Sequence, residues 1–176
     1  MNIDVSQIEE AISKQTKGIF AVNLFGNPNN FDAIAKICDE YNLLLIEDNC
    51  EAMGAKYKNK YTGTFGVIGT FSTFYSHHIC TMEGGIAVTN DVELYHYMLS
   101  LRAHGWTRDL PNNSKIYQKN PDAFYESFNF VLPGYNLRPL EIEAAVGICQ
   151  LEKLEHFIMN RKKNALFFLD QLQDMD

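Results

Sequence analysis

The hydrophobic positions fall into short solid runs separated by stretches where they recur every three or four residues. This is the pattern of strands alternating with amphipathic helices. Residues 3–12 predict a short helix with Ile8 and Ile12 on one face. The run GIFAVNLF at 18–25 has strand length, and the Gly, Pro and Asn of GNPNN behind it mark a turn. Phe31, Ile34, Ile37, Cys38 and Tyr41 recur at helical spacing. After Asn42, LLLIED reads as a strand covered on both faces, because such strands show a solid apolar run in place of alternation.

Between residues 51 and 85 glycines are frequent, and three short apolar bursts predict short strands joined by tight turns: Val67-Ile68, Phe71-Thr73-Phe74 and Ile86-Ala87-Val88. Asn90-Asp91 supplies an N-cap for a helix through Val92, Tyr95, Met98 and Leu99 that ends at His104-Gly105. Residues 106–133 are polar and irregular and predict a long loop, a feature often functional in compact domains. Pro139 opens a periodic helix through Leu140, Ala144, Ile148, Leu151 and Leu154, and residues 161–172 predict one more. The chain starts before a helix that feeds an interior strand and stops inside a helix without a cap. A doubly wound sheet needs further strands or a partner subunit at its edges, so part of a larger domain is expected.

Composition narrows the function classes. Fifteen Lys and Arg against 22 Asp and Glu give a net charge of -7, which lacks the basic field that carries affinity for nucleic acid. No apolar run approaches the roughly 20 residues that cross a bilayer, and the opening MNIDVSQIEE is polar and acidic where a signal peptide is basic and then apolar. A cytoplasmic protein with no membrane and no nucleic-acid partner is expected. The four cysteines, Cys38, Cys50, Cys80 and Cys149, form no C-x-x-C pair. That argues against a disulfide scaffold or a metal centre and for small apolar fillers.

In open α/β sheets ligands bind beyond the carboxyl ends of the strands. Two polar clusters stand there: Glu47-Asp48-Asn49-Cys50-Glu51, and STFYSHHICTMEGG at 72–85. A carboxylate at Asp48 can pair with a protonated ring nitrogen or a metal, or simply cap a turn. His77 and His78 are adjacent, so their side chains diverge and chelate poorly; one of them can serve as an acid/base near neutral pH, or simply be half-buried. The Gly63, Gly66 and Gly69 series lacks the dinucleotide-binding pattern.

Five motifs in order are far more specific: NLFGNP (23–28), IEDNCEAMGA (46–55), GTFGVIGTFSTFYSHHICTMEGG (63–85), LRAHGW (101–106) and PGYNLRPLEIEAAVG (133–147). Together they resemble the DegT/DnrJ/EryC1/StrS family of sugar aminotransferases, vitamin B6 enzymes of fold type I that act on nucleotide-linked keto sugars. The resemblance implies a three-layer α/β/α large domain with a mixed, mostly parallel sheet, of which 1–176 is part. The N-terminal portion and the C-terminal small domain are missing, so the isolated chain is expected to be inactive. It also implies site roles. Asp48 matches the aspartate that pairs with the pyridinium nitrogen of the cofactor, and Glu51 stands where the aminotransferases usually carry a glutamine near the ring. Ser72 matches the serine that hydrogen-bonds the cofactor phosphate. Asn136 matches an asparagine that reaches the phosphate of the neighbouring subunit's cofactor, which implies a homodimer with shared sites. Arg138, in the same motif, is a substrate candidate or a surface ion-pair partner.

One departure changes the implied reaction. The aminotransferases carry their cofactor-binding lysine five residues after the phosphate serine; here that position is His77, and no lysine lies between Lys60 and Lys115. Histidine in this place resembles the branch of 3-dehydratases that use pyridoxamine phosphate on nucleotide-linked 4-keto-6-deoxyhexoses. One member type needs an iron-sulfur cluster and closely spaced cysteines; after Cys80 this chain has only Cys149. The type that regenerates its amine from glutamate is therefore expected, without a cluster. The alternatives are an ordinary nucleotide-sugar aminotransferase and a non-catalytic sugar-nucleotide binding homologue.

Overall fold

The first apolar run becomes β1 (Gly18–Val22), three residues shorter than its hydrophobicity predicts. Leu24–Gly26 instead forms a 3-10 turn in which Phe25 has φ 52°, and that turn lifts the chain off the sheet. The structure, a computed structural model, describes residues 2–173.

Helix α2 (Phe31–Tyr41) follows. The Asn30 side chain accepts a hydrogen bond from the Ala33 N–H, and Asn42 at φ 52° closes the other end in the left-handed conformation. Both ends thus satisfy backbone groups that a helix leaves unpaired. The chain returns as β2 (Leu44–Asp48), makes a small antiparallel hairpin of β3 (Lys56–Tyr57) and β4 (Lys60–Tyr61), and re-enters the sheet as β5 (Ile68–Ser72). The bursts at 67–68 and 71–74 thus contribute to one strand. The hairpin has no apolar alternation long enough to announce it. With β6 (Gly85–Val88) the sheet has the order β1-β2-β5-β6, and β1-β2 and β2-β5 are parallel. The expected mostly parallel α/β sheet is present. Among the described residues β1 lies at its edge and is not interior.

The core forms on one face of this sheet. Ile19 and Ala21 of β1 and Leu45 of β2 pack with Phe31, Ile34, Ile37 and Cys38 of α2, and with Ile8 of the short helix α1 (Ile8–Ala11). Phe31 stacks on Phe65 at 4.3 Å, and Tyr57 meets both rings edge-on at 5.8 Å. Burial alternates strictly along β1, and Phe20, Val22 and Leu44 stay exposed on the opposite face. The expectation that the LLLIED strand is covered on both faces is corrected at its start: Leu44 is exposed, and nothing within the described residues covers that side. The cysteine expectation is corrected too. Only Cys38 is a buried filler; Cys50 and Cys80 are half-buried and Cys149 is exposed.

The described residues divide into two compact units, 2–87 with 141–173, and 88–140. The first unit also holds α5 and α6. Helix α5 (Glu141–Leu151) and helix α6 (Leu154–Gln171) break at Glu152-Lys153, so the helix predicted through Leu154 ends earlier and the last one starts earlier. In the second unit, α3 (Val92–Leu101) is capped by Asp91, whose Oδ1 accepts from the Glu93 and Leu94 N–H groups. The predicted loop at 106–133 is mostly irregular but holds α4 (Ala123–Ser127). The Glu126 carboxylate fastens it, accepting from the Thr107 hydroxyl, the Tyr117 hydroxyl at 3.2 Å and the Asn120 N–H at 2.9 Å. These donors hold Glu126 below the usual carboxylate range, the Thr107 hydroxyl most of all.

Ile34 has no exposed surface, and truncating such a side chain removes transfer energy and leaves a cavity. Ile34→Ala is expected to lower unfolding free energy by about 2–5 kcal/mol in denaturant titration; a loss below about 1 kcal/mol would contradict the core as described.

Candidate functional site

Because β1, β2 and β5 run parallel, their carboxyl ends share one edge of the sheet. In register, Asp48 closes β2 beside Val22 of β1 and Thr70 of β5, two residues before Ser72 closes β5. Asp48 and Ser72, singled out from sequence, therefore meet on neighbouring strands. The Asp48 carboxylate is half-buried, and its Oδ1 accepts from the Cys50 N–H at 2.9 Å. Ser72 Oγ accepts from the Phe74 N–H at 3.2 Å, which leaves its own proton to donate. Glu51 Oε2 accepts from the Phe25 N–H at 2.9 Å, tying the turn after β1 to the turn after β2.

Cys50 sits among these groups. Burial, then the Asp48 carboxylate with Glu51 beyond it, pushes the thiol up to about 11, against a smaller opposing pull from the Ser72 backbone. It stays a thiol at neutral pH and is a poor nucleophile or metal ligand. Among the described residues no three His, Cys, Asp or Glu side chains cluster as a metal site.

His77 and His78 lie in the turn that follows β5, and this turn is held at both ends. The Thr73 and Thr81 hydroxyls bond each other at 2.7 Å, the Thr81 N–H donates to the Thr73 carbonyl at 2.8 Å, and the Thr73 N–H donates to the Gly84 carbonyl at 3.1 Å. Ile79 is buried between them in sequence, and the Cys80 N–H reaches Gln150 of α5 at 3.4 Å. His77 is half-buried, with its backbone N–H on the Phe74 carbonyl at 3.0 Å and its ring edge toward Phe74 at 6.3 Å. Among the described residues neither ring nitrogen of His77 has a hydrogen-bond partner. His78 differs. Burial first, then the nearby Arg161 and His77, push it below the ordinary imidazole value, with Glu51 opposing.

Asn136 and Arg138 belong to the other unit, and both are exposed. Asn136 forms an isolated antiparallel bridge with Ala103, and its Oδ1 accepts from Arg138 Nε at 3.1 Å. Arg138 makes no ion pair among the described residues.

Sequence patterning missed the support beneath this edge. Asn23, Asn29 and Asn49 are buried and linked: Asn23 Nδ2 donates to Asn49 Oδ1 at 2.7 Å, and Asn29 donates through its backbone and side chain to Asn23 Oδ1 at 2.9 Å. Glu47 has no exposed surface, and its carboxylate accepts from the N–H groups of Gly63, Phe65 and Gly66 at 2.6–2.7 Å. The only available signal was a polar residue inside or directly after an apolar strand.

A parallel sheet with a carboxylate, a hydroxyl and an unengaged imidazole at one edge has the form of the large domain of fold type I vitamin B6 enzymes. The chain belongs to the DegT/DnrJ/EryC1/StrS aminotransferase family, whose model matches residues 1–176. It is 58% identical over 175 residues to GDP-4-keto-6-deoxy-D-mannose 3-dehydratase of Escherichia coli O55:H7, covering 99% of this chain and 45% of that protein. A solved GDP-4-keto-6-deoxymannose-3-dehydratase with a trapped PLP-glutamate geminal diamine superposes with TM-score 0.93 at 58% identity, over 98% of this chain and 45% of the other. The Helicobacter pylori aminotransferase of pseudoaminic acid biosynthesis matches at TM-score 0.83 and 31% identity, over 98% and 43%. The chain thus spans about 45% of the length of the dehydratase it matches at 58% identity.

The depressed His78 value has a pH signature. The unfolded chain takes up a proton near pH 6.5 while folded His78 resists it, so the unfolded state binds more protons and stability falls as pH drops below that value. The thermal midpoint is expected to fall between about pH 7 and about pH 5, and to fall less in His78→Gln. Equal slopes for both proteins would remove His78 as a source.

Proposed function

We propose that these residues are the cofactor-binding part of a dehydratase that removes the C3 hydroxyl of a nucleotide-linked 4-keto-6-deoxyhexose with pyridoxamine phosphate, in deoxysugar and surface-polysaccharide biosynthesis. The observation that carries this reading is His77: an imidazole with free nitrogens, on a turn braced by Thr73 and Thr81, where the aminotransferase pattern needs an amine. The 58% identity to a 3-dehydratase supports it. The bound cofactor supplies the amine that condenses with the C4 ketone and the ring that takes up electrons.

The chain's own groups do the rest. Asp48 holds a proton on the ring nitrogen, and a carboxylate at the end of β2 with one oxygen engaged by the Cys50 N–H fits that task. Ser72 donates its free hydroxyl proton to the phosphate. Glu51, fixed on the Phe25 N–H, borders the ring. His77 withdraws a proton from the carbon beside the amine, and the resulting imidazolium returns it to the departing C3 oxygen. Glutamate is the amine donor, supported by the PLP-glutamate adduct in the related structure and by the lack of closely spaced cysteines after Cys80. Exposed Asn136 reaches the cofactor phosphate of a second subunit, which makes the enzyme a homodimer with shared sites. Arg138, bonded to Asn136, is then beside substrate. The location is cytoplasmic; among the described residues no helix is long and apolar enough to cross a membrane.

The test uses the full-length protein containing these residues, with pyridoxamine phosphate, glutamate and candidate nucleotide-linked 4-keto-6-deoxy sugars. Ammonia release with a 3-deoxy product is expected; stoichiometric aminosugar in its place would establish the aminotransferase alternative and sink the proposal. His77→Lys is expected to abolish dehydration while gaining the absorbance of lysine-bound pyridoxal phosphate. Retained dehydration would show that His77 is not the base. The 176-residue chain alone is expected to show no turnover, and measurable turnover by it would contradict the need for the remaining parts.

A further inference from the structure

Beside the strand-end residues, the first unit contains a groove under α6. Cavities of about 290 Å³ and about 210 Å³ share Gly26, Gly54, Ala55, Ile158 and Lys162, so they adjoin between α6, the Leu24–Gly26 turn and the loop at 52–56 and are treated together as one groove. The helix packs tightly on that loop: a Cβ on Gly54, at φ 84°, would stand 2.3 Å from Ile158 Cδ1. The positive φ favours glycine there, and the Ile158 side chain lies directly over it.

The charges lining it are one-sided. Lys56, Arg161 and Lys162 line the groove against one lining carboxylate, Glu155, while His78 is pushed toward its neutral form and the Glu51 carboxylate stands at the Phe25 end. Arg161 lies over the Phe157 ring at 5.8 Å and Lys56 over the Tyr61 ring at 4.3 Å. Among the described residues neither Arg161 nor Lys162 pairs with a carboxylate. In a chain of net charge -7, unneutralised cations gathered in a concavity make a local field for an anion. The remaining lining, with Phe25, Met53 and Ala165, is apolar and suits a flat or aliphatic body. The groove begins at His78, the residue after His77, and at Phe25, which Glu51 holds. The groove therefore opens one residue along the chain from His77.

We infer that the groove under α6 binds the diphosphate of the nucleotide-linked sugar, with Arg161 and Lys162 as its anion contacts and Lys56 at the far end. The identity of the ligand rests on the proposed dehydratase reading; the anion site itself does not. Arg161 presents a planar fork suited to phosphate oxygens, and Lys162, common to both cavities, supplies a point charge.

The test is calorimetric titration of the chain with GDP, inorganic pyrophosphate and glutamate. GDP and pyrophosphate are expected to bind with affinity that falls as salt rises, and glutamate to give no comparable heat. The double variant Arg161→Gln, Lys162→Gln is expected to weaken GDP by about tenfold or more with an unchanged circular dichroism spectrum. Should that variant not fold, Lys56→Gln on the hairpin is expected to weaken GDP several-fold. No binding by the parent, equal binding by the variant that folds, or glutamate binding as tightly as pyrophosphate would each overturn the site. In the full-length protein the two readings separate. GDP binding that needs Arg161, without dehydration of any candidate sugar, defeats the dehydratase reading alone; dehydration with GDP binding indifferent to Arg161 and Lys162 defeats the groove alone.

Discussion

The placement of the strand-end residues depends on a buried carboxylate beneath them. Glu47 has no exposed surface and receives three backbone N–H groups from residues 63–66. Taking a carboxylate out of water costs several kcal/mol, and hydrogen bonds to a charged group return about 1.5–3 kcal/mol each. The net gain is therefore small, but loss of the acceptor would leave one buried and two part-buried donors unpaired. That asymmetry fixes the loop before β5 onto β2. Gly69 then sits on Gly63 so closely that a Cβ would meet the Gly63 carbonyl oxygen at 2.2 Å. With the loop fixed, β5 has one register against β2, Thr70 stands opposite Asp48, and Ser72 arrives at the same edge.

The alternation of a strand makes this division of labour possible. Glu47 and Asp48 are neighbours in sequence and point to opposite faces of β2, so one carboxylate is buried as a fastener and the next is left half-exposed at the end of the strand. A similar split recurs at His77 and His78. The first has free nitrogens at a braced turn, while the second is pushed toward its neutral form by burial and by the Arg161 charge. Side-chain type does not separate the members of either pair; direction does.

Much of the candidate site's arrangement was legible because its signal is local. An apolar strand that stops at a carboxylate, a serine at the end of the next strand and a histidine five residues later are each visible in a one-dimensional string, and parallel pairing brings the strand ends together without further information. The core face of α2 was equally readable from Phe31, Ile34, Ile37 and Cys38, all of them buried. What was not legible depends on partners distant in sequence. Glu47 looked like one more polar residue because its partners lie 16–19 positions away. The apolar bursts at 67–68 and 71–74 looked like two strands because glycine at 69 interrupts the hydrophobic run, although the backbone continues through it. The exposed face of β1 could not be read at all: Phe20 and Val22 have the same hydrophobicity as buried Ile19 and Ala21, and only the packing of α2 on one side separates them.

The same distinction governs how an acidic chain can hold a local cluster of cations. Net charge acts over the whole surface and is screened within about 8–10 Å at physiological salt, so a surplus of carboxylates elsewhere does little to a concavity whose nearest groups are cations. Asp32 illustrates the point from the other side, since it is held by Lys58 and its carboxyl is kept below the usual range chiefly by that partner. Lys58 is thereby spent locally, whereas Arg161 and Lys162 have no such partner among the described residues. Whether a lysine or arginine belongs to a site follows from where its neutralising charge lies. By that criterion the cations of α6 differ from Lys58 in a chain whose overall composition treats them alike.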